Sequence, residues 1–466
     1  MLRTHTCGEL TKEHADQTVT LCGWVAARRD HGKPIFVDIR DRYGITQVVF
    51  HPAISKEAHE LVGKVGPEFV IKVTGTVTVR PEKLVNPDLS TGEVEVGATG
   101  LEILNSSLVP VFEVDEHVEV SEDLRLTYRY LDIRRRKMLD SLTTRHKLCA
   151  IIHDYMDKAG FLEVETPVLT KSTPEGARDF LVPARLNEGK FFALPQSPQL
   201  FKQMLMVSGI DKYYQIVKCF RDEDLRADRQ PEFTQLDMEM SFVEENDVFN
   251  VTERLFQRIF KEIKGIDIPV PFPRMTHREA MEKYNSDKPD LRKEGEDFNL
   301  TWIVDFPMFK YNQEEQRWES EHHPFTSIKE EDLKYLESGE YDKVRARSYD
   351  LVLNGNEIGS GSVRIHKKDM QKKIFDIIGF SDQEAQKRFG FLLRAFEYGA
   401  PPHAGAAYGV DRLVAILTGL DSIRDTIAFP KTQKGNCLIT DAPSEIDNKQ
   451  LLDLGLMALK KGDDDA

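Results

Sequence analysis

Three arginines stand in segments whose pattern suits nucleotide binding. Arg221 and Arg229 flank a charged loop between two predicted strands, and Arg412 ends a glycine-spaced segment, 405–412, that predicts a strand entering a helix. A guanidinium binds phosphate oxygens with two hydrogen bonds and can also stack on a purine. The chain has neither a GxxxxGK[ST] loop nor a GxGxxG loop. A bound nucleotide would therefore be held by arginines, although any one of these arginines taken alone is more often part of a surface ion pair.

Acidic residues and a histidine pair form two further patterns. Asp350 and Glu357 lie seven residues apart in a strand-rich stretch. They could hold an oxygen-liganded cation such as Mg²⁺, or they could be ordinary surface acids. His322 and His323 are adjacent, but no third ligand at a metal-like spacing accompanies them, so no zinc site is predicted.

The elements that position these residues predict a mixed α/β body from residue 140 onward. Residues 143–159 form an amphipathic helix, and the following stretch predicts a strand that Pro167 stops. Further strands are predicted at 191–194 and 213–220, and 220–239 predicts a strand, a charged loop and a second strand.

The first hundred residues predict a small β-barrel. Strands are expected at 19–29, 34–40, 45–51, 69–79 and 93–103, with a helix over 55–65 between the third and the fourth. Five strands with a helix after the third are the order of an OB-fold, which often binds single-stranded nucleic acid.

One strand of this barrel presents an aromatic residue on its polar face. The odd-numbered residues of 35–39 are apolar and predict the core face, so Phe36 points the other way. Phe36 is a candidate platform for stacking a base, or a phenylalanine covered by a neighbouring loop. Arg28, Arg29 and Gln47 lie on adjacent predicted strands and could contact phosphates and base edges.

Composition excludes several classes of protein. The 466 residues are 40% hydrophobic and 30% charged, which is typical of a folded chain of about two to four domains. No apolar run approaches the ~20 residues of a membrane helix, and the N-terminus has no apolar signal core. The net charge of −15 argues against a nonspecific nucleic-acid coat. Five scattered cysteines without a CxxC pair argue against a disulfide scaffold, and we expect a cytoplasmic protein.

Several segments together resemble one family. Residues 220–237 resemble motif 2 of the class II aminoacyl-tRNA synthetases, 405–413 resemble motif 3, and 160–169 resemble motif 1. Segments 173–179, 196–203, 322–326 and 359–366 are similar to the bacterial-type aspartyl-tRNA synthetases. The resemblance covers nearly the whole chain.

The resemblance implies a fold and a reaction. The expected fold is α+β: an OB-fold anticodon-binding domain (1–105), a linker or hinge (106–139), and a class II catalytic domain (140–466) on an antiparallel sheet flanked by helices. The implied reaction has two steps. The α-carboxylate of L-aspartate attacks the α-phosphorus of ATP and expels pyrophosphate, and the terminal ribose hydroxyl of tRNA(Asp) then takes the aspartyl group.

The resemblance also implies roles for individual residues. Those implied to bind aspartate are Glu175, Gln199, Lys202, Asp237, His323 and Arg364. Those implied to bind ATP are Arg221, Glu223, Arg229, Gln230, Phe233, Glu357 and Arg412, with Arg221, Glu223 and Arg412 as the catalytic set. Those implied to hold Mg²⁺ are Asp350 and Glu357. Those implied to read the anticodon are Arg29, His31, Phe36, Gln47 and Glu95.

Two features depart from the bacterial pattern. Members of that type usually carry a large inserted domain, whereas here 286–292 run almost directly into 299–307, so the insertion is missing near 292–299. A histidine at the position of His31 resembles the relaxed members, which charge both aspartate and asparagine tRNAs. This relaxed specificity is a hypothesis for the present chain. The resemblance further implies a homodimer through motif 1, although the 143–159 helix could equally pack internally.

Other functions remain open at this point. An asparaginyl-tRNA synthetase or an asparagine-forming ligase would share the catalytic core. Lys202 with Arg364 favours a carboxylate, because a neutral amide beside two cations leaves charge unpaired. A non-catalytic tRNA-binding paralogue is the alternative from another class. It would be expected to lose an ATP arginine or a metal acid, and this chain has kept them.

Overall fold

A computed structural model describes residues 1–173 and 177–457, so Glu175 lies outside the described residues. The chain divides into two compact units, Met1–Leu139 and Asp140–Ala466. Across the described ranges, no helix combines the length and the apolar character that a membrane span requires.

The first unit contains a closed five-stranded barrel with the strand order β1-β2-β3-β5-β4. Its elements are β1 (Thr18–Asp30), β2 (Ile35–Arg40), β3 (Ile45–Phe50), α1 (Lys56–Val62), β4 (Val70–Val79) and β5 (Val94–Asn105). The predicted OB-fold is therefore confirmed, with a helix after the third strand. The helix begins where the Ser55 hydroxyl accepts a hydrogen bond from the Ala58 N–H, which satisfies one of its free donors.

The segment after the barrel belongs to the same unit. It forms two short helices, α2 (Glu122–Thr127) and α3 (Arg129–Asp132). Arg134 lies 2.7 Å from the Glu68 carboxylate, and its guanidinium carbon lies 4.8 Å from the centre of the Trp24 ring. These contacts attach the end of the segment to the barrel. The hinge role of 106–139 stays a prediction.

The second unit is built on an eight-stranded sheet with the order β11-β12-β15-β16-β17-β10-β9-β6. The strands of the unit are β6 (Leu162–Glu163), β7 (Leu181–Pro183), β8 (Phe191–Ala193), β9 (Lys212–Phe220), β10 (Glu232–Ser241), β11 (Arg274–Thr276), β12 (Leu300–Val304), β13 (Phe309–Asn312), β14 (Arg317–Ser320), β15 (Ser348–Leu353), β16 (Asn356–Val363) and β17 (His403–Gly409). Only the terminal pairs β11–β12 and β6–β9 are parallel among the pairings of this sheet in the described residues. The antiparallel sheet predicted for the catalytic domain is confirmed.

Helices cover the sheet and complete the unit. They are α4 (Arg136–Lys158), α5 (Gln199–Val207), α6 (Glu245–Lys264), α7 (His277–Tyr284), α8 (Leu333–Ser338), α9 (Lys368–Ile377), α10 (Asp382–Phe396), α11 (Val410–Thr418) and α12 (Asn448–Asp453). Residues of α4, α6 and α11 pack with Leu236, Met238 and Met240 of β10 in the largest apolar core. The even-numbered residues of β10 thus face the core, which leaves its odd-numbered residues on the other face.

Two predicted elements of this unit have different bounds. Helix α4 begins at Arg136 rather than at 143, because its buried stripe continues through Met138 and Ser141. Ser141 is buried through a hydrogen bond to the Asp425 carbonyl, so apolar periodicity did not detect it. The strand predicted before Pro167 is limited to Leu162–Glu163, because only these residues pair with β9.

Candidate active site

One cavity of about 470 Å³ lies over the sheet of the second unit, against the face opposite the apolar core. Phe233, Gln235 and Asp237 of β10 line it, as expected from the alternation along that strand. The predicted site residues that line this cavity are Gln199, Lys202, Arg221, Glu223, Arg229, Gln230, Phe233, Asp237, His323, Glu357, Arg364 and Arg412. The structure therefore gathers residues that are up to 213 positions apart in the sequence.

Two buried cations and two buried carboxylates meet at one end of the cavity. Lys202 Nζ lies 2.9 Å from Asp237 and 3.3 Å from Glu239. Arg364 donates from Nε and Nη2 to the two Glu239 oxygens, at 3.0 and 3.2 Å. Glu239 is fully buried, and the sequence analysis missed it. The sequence did contain a signal for Glu239, because this residue continues the alternation of residues 233, 235 and 237, which share one face of β10.

The protonation of this cluster follows from burial and from its charges. Burial raises the pKa of Asp237 to about 6, although Lys202 opposes the shift. Burial also disfavours the charged form of Glu239, but Arg364 and Lys202 hold its pKa below the ordinary value. Burial, followed by the charge of Arg364, holds the pKa of His323 well below its ordinary value. The neutral imidazole of His323 lies 2.7 Å from Arg364 Nη1.

Unpartnered polar atoms mark the same end of the cavity. Asp237 Oδ1 and Gln199 Nε2 are buried without a hydrogen-bond partner among the described residues. An unsatisfied buried polar atom is costly unless a ligand or water completes it. The first atom is an acceptor and the second a donor, so together they suit a zwitterion with an ammonium and a carboxylate.

Arginines and an aromatic ring define the other end. The Arg221 guanidinium carbon lies 5.1 Å from the centre of the Phe233 ring. Arg229 lies 3.3 Å from Glu223, and Arg412 donates to the Glu357 carbonyl. This end therefore offers cationic groups beside an aromatic face, which is the combination that binds a nucleoside phosphate.

Backbone contacts hold this end in place. The Gln230 amide donates to the Lys431 carbonyl at 3.0 Å and accepts from the Lys431 N–H at 2.8 Å. Asp411 accepts from the Thr234 N–H at 2.7 Å and from Arg145. The predicted nucleotide residue Gln230 thus borders the cavity while its side chain joins two segments of the protein.

Asp350 and Glu357 fit a divalent cation. Asp350 lies on β15 and does not line the cavity itself, but its carboxylate is close enough to Glu357 for mutual repulsion. Burial, and then this repulsion, raise the pKa of Asp350 well above its ordinary value. Its Oδ1 is buried and has no partner in the described part of the chain. Mg²⁺ typically binds one or two carboxylates together with substrate phosphates, so this pair suits it without a third protein ligand.

The five predicted anticodon residues lie on one face of the barrel in the first unit. Arg29 pairs with Asp38 at 2.7 Å and reaches Gln47 at 3.3 Å, and Gln47 donates to Glu95 at 3.0 Å. Phe36 is opposite Arg29 in the strand register and is half-buried. The His31 ring packs edge-on against it with the ring centres 5.6 Å apart.

The fold and the cavity define a class II tRNA synthetase. The sequence model of this family, described as tRNA synthetases class II (D, K and N), matches residues 121–433, and an OB-fold nucleic acid binding domain matches 19–104. The chain belongs to the class II tRNA synthetases.

Individual relatives narrow the comparison. The chain is 45% identical to an aspartate--tRNA(Asp/Asn) ligase of Thermoanaerobacter pseudethanolicus, with 97% of this chain and 98% of that protein covered. It is 43% identical to a ligase of the same name from Natranaerobius thermophilus, with 99% and 100% covered. Among solved structures, asparaginyl-tRNA synthetase from Pyrococcus horikoshii, complexed with asparaginyl-adenylate, superposes with a TM-score of 0.75. The two sequences are 26% identical, and the superposition covers 93% of this chain and 99% of the Pyrococcus chain.

The alignment lengths bear on the missing segment. The alignment to the Thermoanaerobacter ligase spans 578 positions, whereas this chain has 466 residues. That relative therefore contains more than a hundred residues without a counterpart here. That these residues form the inserted domain expected near 292–299 stays a prediction.

Proposed function

We propose that this chain activates L-aspartate with ATP and transfers the aspartyl group to tRNA(Asp), and to tRNA(Asn) as well. The observation that supports this most directly is the arrangement within one cavity. The buried Lys202–Arg364 pair lies at one end, and Arg221 with Phe233 lies at the other. An amino acid with an acidic side chain and a nucleotide would thus be held in one continuous space.

The charges of the cluster favour aspartate over asparagine. Lys202 and Arg364 are balanced by Asp237 and Glu239 when no substrate is bound. When the substrate ammonium pairs with Asp237 and the α-carboxylate is directed to the α-phosphate at the other end, the two cations face Glu239 alone and one positive charge is left over. A side-chain carboxylate neutralises that charge, whereas an amide leaves it buried and unpaired.

The residues at the nucleotide end account for the first step. Arg221 would neutralise the charge that develops on the α-phosphate as the substrate carboxylate attacks and pyrophosphate leaves. Phe233 would stack on adenine, and Arg229 and Arg412 would hold the far phosphates. Mg²⁺, held by Asp350 and Glu357, would supply further neutralisation of phosphate charge when bound. The reaction needs no protein nucleophile, so catalysis rests on positioning and charge.

The barrel supports recognition of the anticodon. Phe36 offers a stacking surface, while Arg29, Gln47 and Glu95 offer donors and acceptors for base edges. We assign His31 to relaxed reading of the anticodon, because its ring packs on the candidate stacking residue Phe36. The name aspartate--tRNA(Asp/Asn) ligase of several relatives agrees with this specificity.

A homodimer and a cytoplasmic location belong to the same proposal. Leu162, Val168 and Leu169 of the motif 1 segment are 53%, 47% and 51% exposed in the single chain, so a second copy could cover them. The five cysteines are free thiols, as expected for a reducing compartment.

The proposal is tested by amino-acid-dependent exchange of pyrophosphate into ATP. We expect exchange with L-aspartate and not with L-asparagine, and loss of exchange in Lys202→Met. The matched control is Lys373→Met, which removes an exposed lysine of α9 and should leave exchange unchanged. Exchange with asparagine in preference to aspartate would overturn the assignment of the substrate. No exchange with either amino acid would favour the non-catalytic tRNA-binding alternative.

Charging of purified tRNAs tests the second half of the proposal. The wild-type chain should charge both tRNA(Asp) and tRNA(Asn), and His31→Leu should reduce charging of tRNA(Asn) more than that of tRNA(Asp). Charging of tRNA(Asp) alone by the wild type would contradict the role given to His31 and leave aspartate activation intact.

A further inference from the structure

The two acids proposed to hold Mg²⁺ lie on the two arms of one hairpin, β15–β16. Asp350 precedes the turn by four residues, and Glu357 follows it closely. The turn consists of Asn354 and Gly355, with φ values of 51° and 75°. Two consecutive residues with positive φ are characteristic of a type I′ turn, which sets the register of a hairpin.

A β-bulge places both acids on the same face of this hairpin. Asp350 pairs with Ser360 and Leu351 with Gly359, but Val352 pairs with Glu357, so Ile358 is an extra residue. Cross-strand partners share a face, and so do residues two apart on a strand. Glu357 therefore shares the face of Val352 and of Asp350. In the regular register Glu357 would lie opposite Leu353 and point to the other face.

Asn354 fastens this turn to a neighbouring segment. Its Oδ1 accepts the Asn299 N–H at 2.8 Å, and its Nδ2 donates to the Asp297 carbonyl at 2.9 Å. Its own N–H donates to the Asn299 carbonyl at 3.1 Å. A Cβ at Gly355 would lie 3.2 Å from the Asp290 Cβ, so Asp290 also packs closely on the turn. Three hydrogen bonds thus hold one residue of the turn in place.

We propose that Asn354 is a positioning residue for the carboxylate pair of Asp350 and Glu357. Its side chain binds the 297–299 backbone and thereby holds the turn from which the register of both acids is set. This inference rests on the metal site of the proposed function. Asn354 itself does not line the cavity and has no assigned contact with a substrate.

The test compares Asn354→Gly, Asn354→Asp and Gln316→Gly in the full-length chain. Glycine accepts the positive φ without strain and removes the side-chain hydrogen bonds, and the backbone freedom that it adds is shared by the Gln316→Gly control. Aspartate keeps an acceptor for the Asn299 N–H and loses the donor. Gln316 also has a positive φ, 54°, and lies in the exposed β13–β14 turn, so its replacement by glycine is the matched control.

The first measurement is the Mg²⁺ concentration for half-maximal aspartate-dependent pyrophosphate exchange, at saturating ATP. Mutation of a residue that hydrogen-bonds directly to a metal ligand typically lowers metal affinity ~10–100-fold. Asn354 does not contact the two acids itself but holds the turn between them, so a smaller effect is expected. In Asn354→Gly the Mg²⁺ concentration for half-maximal exchange should increase about 3- to 10-fold. A smaller increase is expected in Asn354→Asp and none in Gln316→Gly, while the rate at saturating Mg²⁺ stays near that of wild type.

The second measurement is equilibrium binding of Mn²⁺, followed by electron paramagnetic resonance and checked with Asp350→Asn. Asn354→Gly should weaken the Asp350-dependent binding by a similar factor. An unchanged Mg²⁺ requirement, or a lower rate with an unchanged requirement, would overturn the proposal. So would the absence of Asp350-dependent Mn²⁺ binding in the wild type. If the wild type shows no exchange but binds Mn²⁺ in an Asp350- and Asn354-dependent way, the proposed function fails and the role of Asn354 stands.

Discussion

Glu239 is the buried carboxylate on which the substrate end of the cavity depends. It accepts hydrogen bonds from Nε and Nη2 of Arg364 and lies 3.3 Å from Lys202, and all three side chains are at most 2% exposed. Glu239→Gln keeps the size of the side chain and removes its charge. Two buried cations would then share Asp237 as their remaining partner in the cluster.

The magnitude follows from this burial. Removing one partner of a buried, hydrogen-bonded ion pair typically costs about 3–5 kcal/mol, because the other charge is left uncompensated. We expect a loss of about that size in the free energy of unfolding of the second unit. Glu232→Gln is the matched control on the same strand. Glu232 pairs with Lys431 at 2.8 Å but is 40% exposed, so its loss should cost at most about 1 kcal/mol.

The assay is urea unfolding followed by tryptophan fluorescence. Trp302 is fully buried in the core of the second unit, and Trp24 and Trp318 can be replaced by phenylalanine in every protein compared. The signal then reports on the sheet that contains Glu239. Equal free energies of unfolding for Glu239→Gln and Glu232→Gln would refute the conclusion that the buried cluster is an essential charge balance.

Three further predictions concern activity. Arg221→Ala should lower the rate constant of pyrophosphate exchange about 10²–10³-fold, as loss of one transition-state donor typically does, with an unchanged unfolding curve; a loss below tenfold would contradict its role. Burial raises the pKa of Asp237 to about 6, and only the carboxylate can bind the substrate ammonium. The kcat/KM for aspartate, measured from pH 5 to 8, should therefore fall about tenfold per unit as the pH drops below about 6, and a flat profile would exclude Asp237 from ammonium binding. Phe36→Ala should weaken tRNA binding about 5- to 150-fold, from ~1–3 kcal/mol per stacked base, with exchange unchanged; equal tRNA affinity would mean that no base stacks there.

Local patterns were enough to predict the elements of the barrel. Alternation along 35–39 predicted the core face of β2, and its burial follows that pattern. Such a strand needs only one buried face to be recognised, because the period of two residues is a property of the strand itself. The first and last residues were harder to predict for elements whose burial depends on hydrogen bonds. The early turns of α4 were missed because Ser141 is buried by a polar contact with a residue 284 positions away.

The sequence by itself determined the chemical types of the site residues and, through several motifs, the family. It also indicated that a cation pair and a set of arginines exist, because residue type and spacing can be read without coordinates. Only the tertiary structure decided that Glu239 joins Lys202 to Arg364, and that a bulge at Ile358 places Glu357 on the face of Asp350. Those relations depend on which strands are neighbours and in which register they pair. Register is set by long-range packing and by turn geometry, neither of which appears in a local pattern.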